Sequence, residues 1–275
     1  MALLPPVARR ITGFLCAFVG AGLLAVASVG HFTPWGSGYS SLPRDWERFD
    51  PTLPAQLPTY TALSQRLDEK LTSATTDADR LRAIYDLVIA RFTHDEAQHT
   101  LASNWVLYTA GLIHPTFHHI WSPQRLVSHG SCLLCDQASY LMLDLARAHG
   151  YKARQIGLQG HVVMEVWYQG DWHLYDADLE IIPTDSTGEV LSLDELAVSD
   201  EFRQRYYGPH SNMAELIRAR ENHLYMSTPE GARFEWKGNL LALLEKAAEV
   251  LKFLLPLIAL FVGIRLLRPA RPRSV

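Results

Sequence analysis

The residues that can do chemistry in this chain are two cysteines, one histidine and two aspartates. Cys132 and Cys135 form a C-x-x-C pair, His161 follows a glycine at the head of an alternating run, and Asp176 and Asp178 close the run after it. A thiol attacks a carbonyl carbon as the thiolate, and helix N-termini and neighbouring imidazolium are the commonest ways of favouring that form. Cys135 stands directly before an apolar helical stretch, so its sulfur falls at the positive end of that helix, whereas Cys132, one turn earlier, falls in the approaching loop. A hairpin can supply the base. Residues 161–168 and 172–178 are alternating, β-branched and aromatic, and Gln169-Gly170-Asp171 separates them. With a two-residue turn, Tyr168 faces Asp171, and the same register sets Val163 opposite Asp176 and His161 opposite Asp178. Paired residues share a sheet face, so His161, Asp176 and Asp178 point the same way and either carboxylate can orient the imidazole.

Other elements must hold these residues in place. Residues 33–57 are rich in Pro, Gly and Ser and read as an extended stalk. From Tyr60 onward the chain becomes helical, and residues 76–90 place Leu81, Ile84, Leu87 and Val88 on one face behind a polar cap, a core helix. The helix that begins near Cys135 runs to Ala148 and ends at Gly150, and residues 152–157 are strand-like. Arg154 reads as structural, pairing a buried carboxylate. Glu165 shares the face of His161 but lies farther along the strand. Between residues 93 and 130 periodicity fades and His94, His99, His114, His118, His119 and His129 appear. The spacing of His114 and His118 suits two imidazoles on one helix face, yet Pro115 interrupts it and no cysteine or carboxylate completes a zinc set, so no metal is expected there. Residues 194–225 read as a helical cover.

A C-x-x-C can also be a redox pair or half a zinc site. No second C-x-x-C exists for zinc, and the Leu133-Leu134 insert lacks the rest of a thioredoxin pattern. The joint spacing of Cys135, His161 and Asp176 favours catalysis over both. In an oxidising compartment Cys132 could close a disulfide onto Cys135 and silence it reversibly.

These residues resemble the transglutaminase-like superfamily of papain-like thiol enzymes. Cys135-Asp136-Gln137-Ala138-Ser139 is similar to the family's nucleophile at its helix start, and Gly150-Tyr151-Lys152-Ala153-Arg154 to its Gly-x-x-Ala-Arg lead into the first strand. Gly160-His161 with the following Val-Val-Met-Glu-Val resembles the base strand, and Gly170-Asp171-Trp172 leading to Tyr175-Asp176 resembles the turn and the acid. The resemblance covers about residues 76–178. It implies an α+β, papain-like core with Cys135 as nucleophile, His161 as base and Asp176 as orienter. The family's Gly-x-Cys pattern falls here on Gly130-Ser131-Cys132, while the downstream spacing fits Cys135. A second oxyanion donor beside the Cys135 N–H is expected from an upstream side chain, with Asn104, Trp105 and Gln124 as candidates.

The two ends of the chain carry a different signal. Residues 11–30 hold no charge and match the roughly 30 Å hydrocarbon core of a bilayer. In residues 250–267 only Lys252 and Arg265 interrupt an apolar run, each near an end from which it can snorkel. Arg9-Arg10 and Arg268, Arg271 and Arg273 flank the outer ends, so the positive-inside rule places both termini in the cytoplasm and the middle on the far side. Ala25-Val26-Ala27 would suit signal cleavage, but the run is longer than a signal's apolar region, so a retained anchor is expected. The second run, carrying Pro256, has a buried terminal helix as its alternative.

The chain therefore divides into an anchor (1–31), a stalk (32–58), a transglutaminase-like domain (59–238) and a C-terminal transmembrane helix with a basic tail (239–275). Its 275 residues carry a net charge of −4, and because basic residues crowd the ends, the middle is more acidic still, which argues against a nucleic-acid partner. Three cysteines are too few for a disulfide framework. The expectation is a thiol enzyme of a bacterial inner membrane, its catalytic domain periplasmic, acting on a protein or peptide-like amide. Hydrolysis, as a peptidase or amidase, is favoured over cross-linking, and neither cofactor nor metal is required. The competing expectation is a non-catalytic binding module of an envelope or surface-polymer complex.

Overall fold

Helix caps and alternating strands set out the elements in the computed structural model, which describes residues 5–33, 41–210, 212–225 and 229–268. The chain runs through α1 (Pro6–Phe32), a short α2 (Leu53–Gln56), α3 (Tyr60–Leu71), α4 (Asp77–Arg91) and β1 (Thr93–His94). Then come α5 (Leu101–Gly111), α6 (Pro123–His129), β2 (Cys132–Leu133), α7 (Cys135–Ala148), β3 (Lys152–Gly157), β4 (Val162–Tyr168) and β5 (Asp171–Tyr175). The remainder is α8 (Leu193–Val198), α9 (Asp200–Tyr207), α10 (Met213–Arg218), β6 (Leu224–Tyr225) and α11 (Pro229–Leu267). It forms two compact units: Met1–Gly38 with Gln98–His119 and Leu243–Val275, and Tyr39–Ala97 with Ile120–Ala242. The single domain expected over 59–238 is thus interrupted by Gln98–His119, which belongs with the terminal helices.

In the larger unit, the Thr76 hydroxyl accepts the Asp79 N–H and the Asp79 carboxylate accepts the Thr76 N–H, a capping box that starts α4. From there Leu81, Ile84, Leu87 and Val88 face the core, as their spacing predicts. The sheet has the order β5-β4-β3-β6, all antiparallel. Alternation divides it between two cores: Ala153, Met164, Val166 and Tyr175 join Leu63, Leu67, Leu81 and Leu141 from α3, α4 and α7. Ile156, Val163 and Leu174 join Leu193, Leu196, Tyr207 and Ile217 from α8, α9 and α10. Helices thus cover both faces, and the segment read as a cover supplies one of them. The stretch expected as a stalk is tied down where it is described. Ser41 Oγ hydrogen-bonds Thr93 Oγ1 at 2.6 Å, Asp50 donates its N–H to Ala90 O, and Arg48 pairs with Glu180 at 2.7 Å. Residues 34–40 lie outside the described residues.

The β4–β5 hairpin keeps the expected register, Tyr168 facing Asp171 and Met164 facing Tyr175. Its turn residues Gln169 and Gly170 have φ of 52° and 92°, the left-handed pair that a two-residue turn with matching twist requires. The ladder stops at Tyr175, because Asp176 exchanges both backbone hydrogen bonds with Ile181 instead. Ahead of Cys135, buried Arg91 donates to the carbonyls of Leu57, Val127 and Gly130, at 3.3, 3.1 and 3.1 Å, and so pins the loop leading to Cys132. Burial pushes its pKa down to about 10.

In the smaller unit, α1 and α11 are long and apolar enough to cross a membrane. They pack antiparallel, Gly13 against Leu266 and Gly20 against Pro256. Gly13, Gly20 and Ala27, seven residues apart, are the buried positions of α1. A Cβ on Gly20 would lie 2.7 Å from Pro256 O, and one on Gly263 would lie 2.5 Å from Ala17 N, so the backbones touch. Phe14, Phe18, Ile258 and Phe261 face outward, the reverse of packing in water. Arg9 donates to the carbonyls of Leu266 and Arg268 at 3.0 and 2.7 Å, satisfying groups that the end of α11 leaves open. Lys252, expected to snorkel, is 1% exposed; its ammonium donates to Ser103 O at 2.9 Å and pairs with Glu249 at 2.8 Å. Asn104 Nδ2 also donates to Glu249, and Trp105 Nε1 to Lys252 O.

Replacing Gly20 with leucine forces a side chain into the backbone of α11. Overpacking of this kind costs about 1–3 kcal/mol. The full-length protein in detergent should melt at a lower temperature as Gly20→Leu, and at an unchanged one as Gly22→Leu, where nothing lies within 4 Å of the added Cβ.

Candidate active site

Cys135 is the first residue of α7, so its N–H has no acceptor within the helix and its side chain sits at the helix's positive end. Three buried side chains fix that end. Gln137 Oε1 accepts the N–H groups of Leu134 and Ala97, at 3.1 and 2.9 Å, while its Nε2 donates to the carbonyls of Ala97 and Ile120. Gln155 of β3 donates to Asp136 O at 3.0 Å. Ser139 donates to Val162 O at 2.9 Å, which places the start of β4 against the second turn of α7.

The residue before β4 is His161. It leaves a tight turn in which Gln159 and Gly160 have φ of 49° and 114° and Leu158 donates to His161 O at 2.7 Å. The structure brings it beside Cys135: the sulfur, an imidazole nitrogen and an Asp178 oxygen lie within 4.8 Å of one another. His161 Nε2 donates to Asp176 Oδ2 at 2.8 Å, which leaves Nδ1 toward the thiol. Asp178 Oδ2 is 3.6 Å from Nδ1, and its Oδ1 bonds His94 Nδ1. Where the register alone left both aspartates able to orient the imidazole, Asp176 makes the hydrogen bond and Asp178 bridges two histidines. Burial alone would lower the His161 pKa, but the charge and hydrogen bond of Asp176, with Cys135 and Asp178 behind it, outweigh burial and hold it well above 6.5.

Asp176 is fully buried and richly bonded. Its Oδ1 accepts the Leu179 N–H at 3.1 Å, and Tyr207 of α9 donates its phenol to Oδ2 at 3.2 Å. Sequence reasoning missed Tyr207, which sits in a polar stretch with no motif around it. It also counted His94 among ordinary histidines, and only the proximity of Asp178 marks it out. Arg154 pairs Glu165, as expected of a structural residue, at 2.6 Å; burial raises the Glu165 pKa while Arg154 and the Leu193 N–H oppose the rise.

Cys132 is buried and its thiol is pushed up to about 12, first by burial and then by the charge of Asp95, so it lacks the surroundings of a nucleophile. No disulfide links Cys132 to Cys135. Of the proposed oxyanion donors, Asn104 and Trp105 are engaged by Glu249 and Lys252 in the smaller unit, and Gln124 Oε1 accepts from Ser122. His118 Nε2 meets Tyr108 O, and His114 Nδ1 accepts the Thr116 N–H. Cys135, His161 and Asp178 offer sulfur, nitrogen and oxygen donors that would suit zinc. With His161 held by Asp176, they equally suit a thiolate paired with an imidazolium.

No protein-family model matches the chain, and neither does any curated protein or solved structure.

Without the charge of Asp176, His161 should lose its proton at lower pH. Titration of labelled histidine by NMR should therefore place the His161 midpoint of Asp176→Asn below that of the wild type. Since a raised pKa stabilises the fold fully below pH 6.5 and loses that effect as pH rises through the raised value, Asp176→Asn should also cost more stability near about pH 5.5 than near about pH 9. Tyr207→Phe leaves the carboxylate one donor short and should cost about 1–2 kcal/mol in unfolding.

Proposed function

We propose that the chain is a membrane-anchored, transglutaminase-like thiol enzyme with a papain-like core, transferring the acyl group of a peptide-like amide through Cys135, His161 and Asp176. The observation that carries this reading is the unbroken chain from the thiol at a helix N-terminus, through one imidazole, to a buried carboxylate. Thiolate and imidazolium are the working forms. The sulfur attacks the amide carbon and the carbonyl oxygen takes up the charge, facing the Cys135 N–H. As the C–N bond breaks, His161 Nδ1 gives its proton to the departing amine, leaving a thioester on Cys135. Nδ1 then accepts a proton from water, whose oxygen attacks the thioester and releases the acid and the thiolate, or from an amine, which gives a new amide. Asp176 keeps the ring oriented and the imidazolium favourable throughout. Water is the acceptor we favour.

Three features support an exported domain anchored in an inner membrane. Both apolar helices are flanked by arginines at their outer ends, they run antiparallel so that both flanks meet at one end of the pair, and Arg9 caps α11 there. Protease applied to the outside of spheroplasts should cut the larger unit and spare the termini; digestion of that unit from the cytoplasmic face would overturn the orientation.

The reading is tested by iodoacetamide alkylation of the full-length protein, followed at Cys135 by peptide mass spectrometry. An ordinary thiol of pKa about 8.5 is under about one per cent thiolate at pH 6, so His161→Ala should slow alkylation there about 10²-fold. An activated acyl ester should leave a thioester on Cys135 that decays in water, or faster with added hydroxylamine. Alkylation indifferent to His161, with no acyl adduct, would overturn catalysis and leave a binding module of the same fold.

A further inference from the structure

The segment Gln98–His119 leaves the larger unit and returns where it left, and its chemistry is unlike that unit's. Its two ends are stapled: Gln98 and His119 form an antiparallel bridge, and His99 donates its N–H to His118 O at 2.6 Å. Between them, residues 101–113 carry no charge. α5 forms the first limb, eleven residues and about 16 Å long. The returning limb is held to it by His118, whose Nε2 meets Tyr108 O at 2.9 Å and whose ring lies where a Cβ on Gly111 would be.

This hairpin is packed on the two apolar helices. A Cβ on Gly30 of α1 would fall 1.7 Å from Ala102 O, so the backbones meet as closely there as α1 and α11 do farther along. Its polar groups are satisfied from α11: Asn104 by Glu249, Ser103 O by Lys252, and Trp105 Nε1 by Lys252 O. Asn104 has non-helical backbone angles, and its Oδ1 accepts the Leu107 N–H, which repairs the break. Irregular backbone is tolerated beside lipid only when protein satisfies it in this way. At the tip, Leu112 and Ile113 are 68% and 87% exposed among the described residues. His114 follows, exposed as well.

We propose that this hairpin is a third membrane-embedded element, entering one leaflet of the bilayer beside α1 with Leu112 and Ile113 among the acyl chains. The occupant of its apolar tip is lipid, because α5 packs on α1, Ala102 O against Gly30, in one compact unit with the two apolar helices, whose outward-facing side chains meet lipid as well. A segment of this length reaches about half of a roughly 30 Å hydrocarbon core, too short to span it and long enough to lie in one leaflet. The proposal rests on α1 and α11 being membrane spans.

The test is fluorescence quenching of the full-length chain in phosphatidylcholine vesicles. An environment-sensitive dye is placed at Leu112→Cys or Ile113→Cys in a Cys16→Ser, Cys135→Ser background, which leaves only the buried Cys132. A label at Leu42→Cys, 91% exposed in the larger unit, is the aqueous control. Native Cys16 in α1, labelled in Cys135→Ser, reports on the span itself. The dye at 112 or 113 should emit to the blue of the Leu42 control, lose most of its emission to nitroxide-labelled phosphatidylcholine and resist iodide. Quenching by iodide to the level of the Leu42 label would overturn the proposal. So would protection from both quenchers, which would put protein, such as a second copy, over the tip. If the Cys16 label escapes the lipid nitroxide, the spanning reading fails and the hairpin fails with it; if Cys16 is quenched and 113 is not, only the hairpin fails.

Discussion

The Gln137 side chain is the joint on which the larger unit closes. One buried amide satisfies four backbone groups: it accepts from Leu134 and Ala97 and donates to Ala97 and Ile120. Its own helix carries Cys135 two residues earlier, so the point where the chain departs and returns is fixed to the same turn that presents the thiol. An amide is the side chain for this task, since it donates and accepts at once and carries no charge to bury. A carboxylate there would face two carbonyls with no proton to offer, and an apolar residue would leave four backbone groups unpaired in the core.

From that joint the site is assembled by short-range ties. Gln155 and Ser139 hold the first turns of α7 to β3 and β4, and the end of β4 nearest α7 is where His161 begins. The imidazole then leans on a carboxylate whose remaining lone pairs go to Leu179 N–H and the Tyr207 phenol. Burial opposes every charge in this arrangement, and the pairing of His161 with Asp176 outweighs it. Helices on both faces of the sheet are needed for this: α7 from one side brings the sulfur, α9 from the other brings the phenol.

The hairpin register was legible because strict alternation and Gly170 leave a single two-residue turn, and the helix from Cys135 was legible from its apolar stripe and Gly150. The division of labour between Asp176 and Asp178 was not, because the ladder ends at Tyr175 and local pairing with Ile181 decides which carboxylate turns to His161. Tyr207 left no trace, since its partner is 31 residues away and its neighbours Tyr206 and Gly208 make no motif with it. α5 was invisible to periodicity: its residues are apolar on all sides and Asn104 breaks the helix from within. Lys252 was expected at the interface by composition, but its partners Ser103 and Trp105 come from a segment nearly 150 positions upstream.

That last separation sets an order of assembly. Ribosomes make α1 and α5 early, while Glu249 and Lys252 are near the end of the chain. The larger unit has all of its own residues by Ala242, and its closure through Gln137 needs nothing made later. Asn104 and the Ser103 carbonyl acquire their partners only when α11 arrives. A chain interrupted between Ala242 and Glu249 would therefore hold a completed larger unit and, beside α1, a helix with an unanswered amide, a mark by which quality-control proteases could tell unfinished molecules from finished ones.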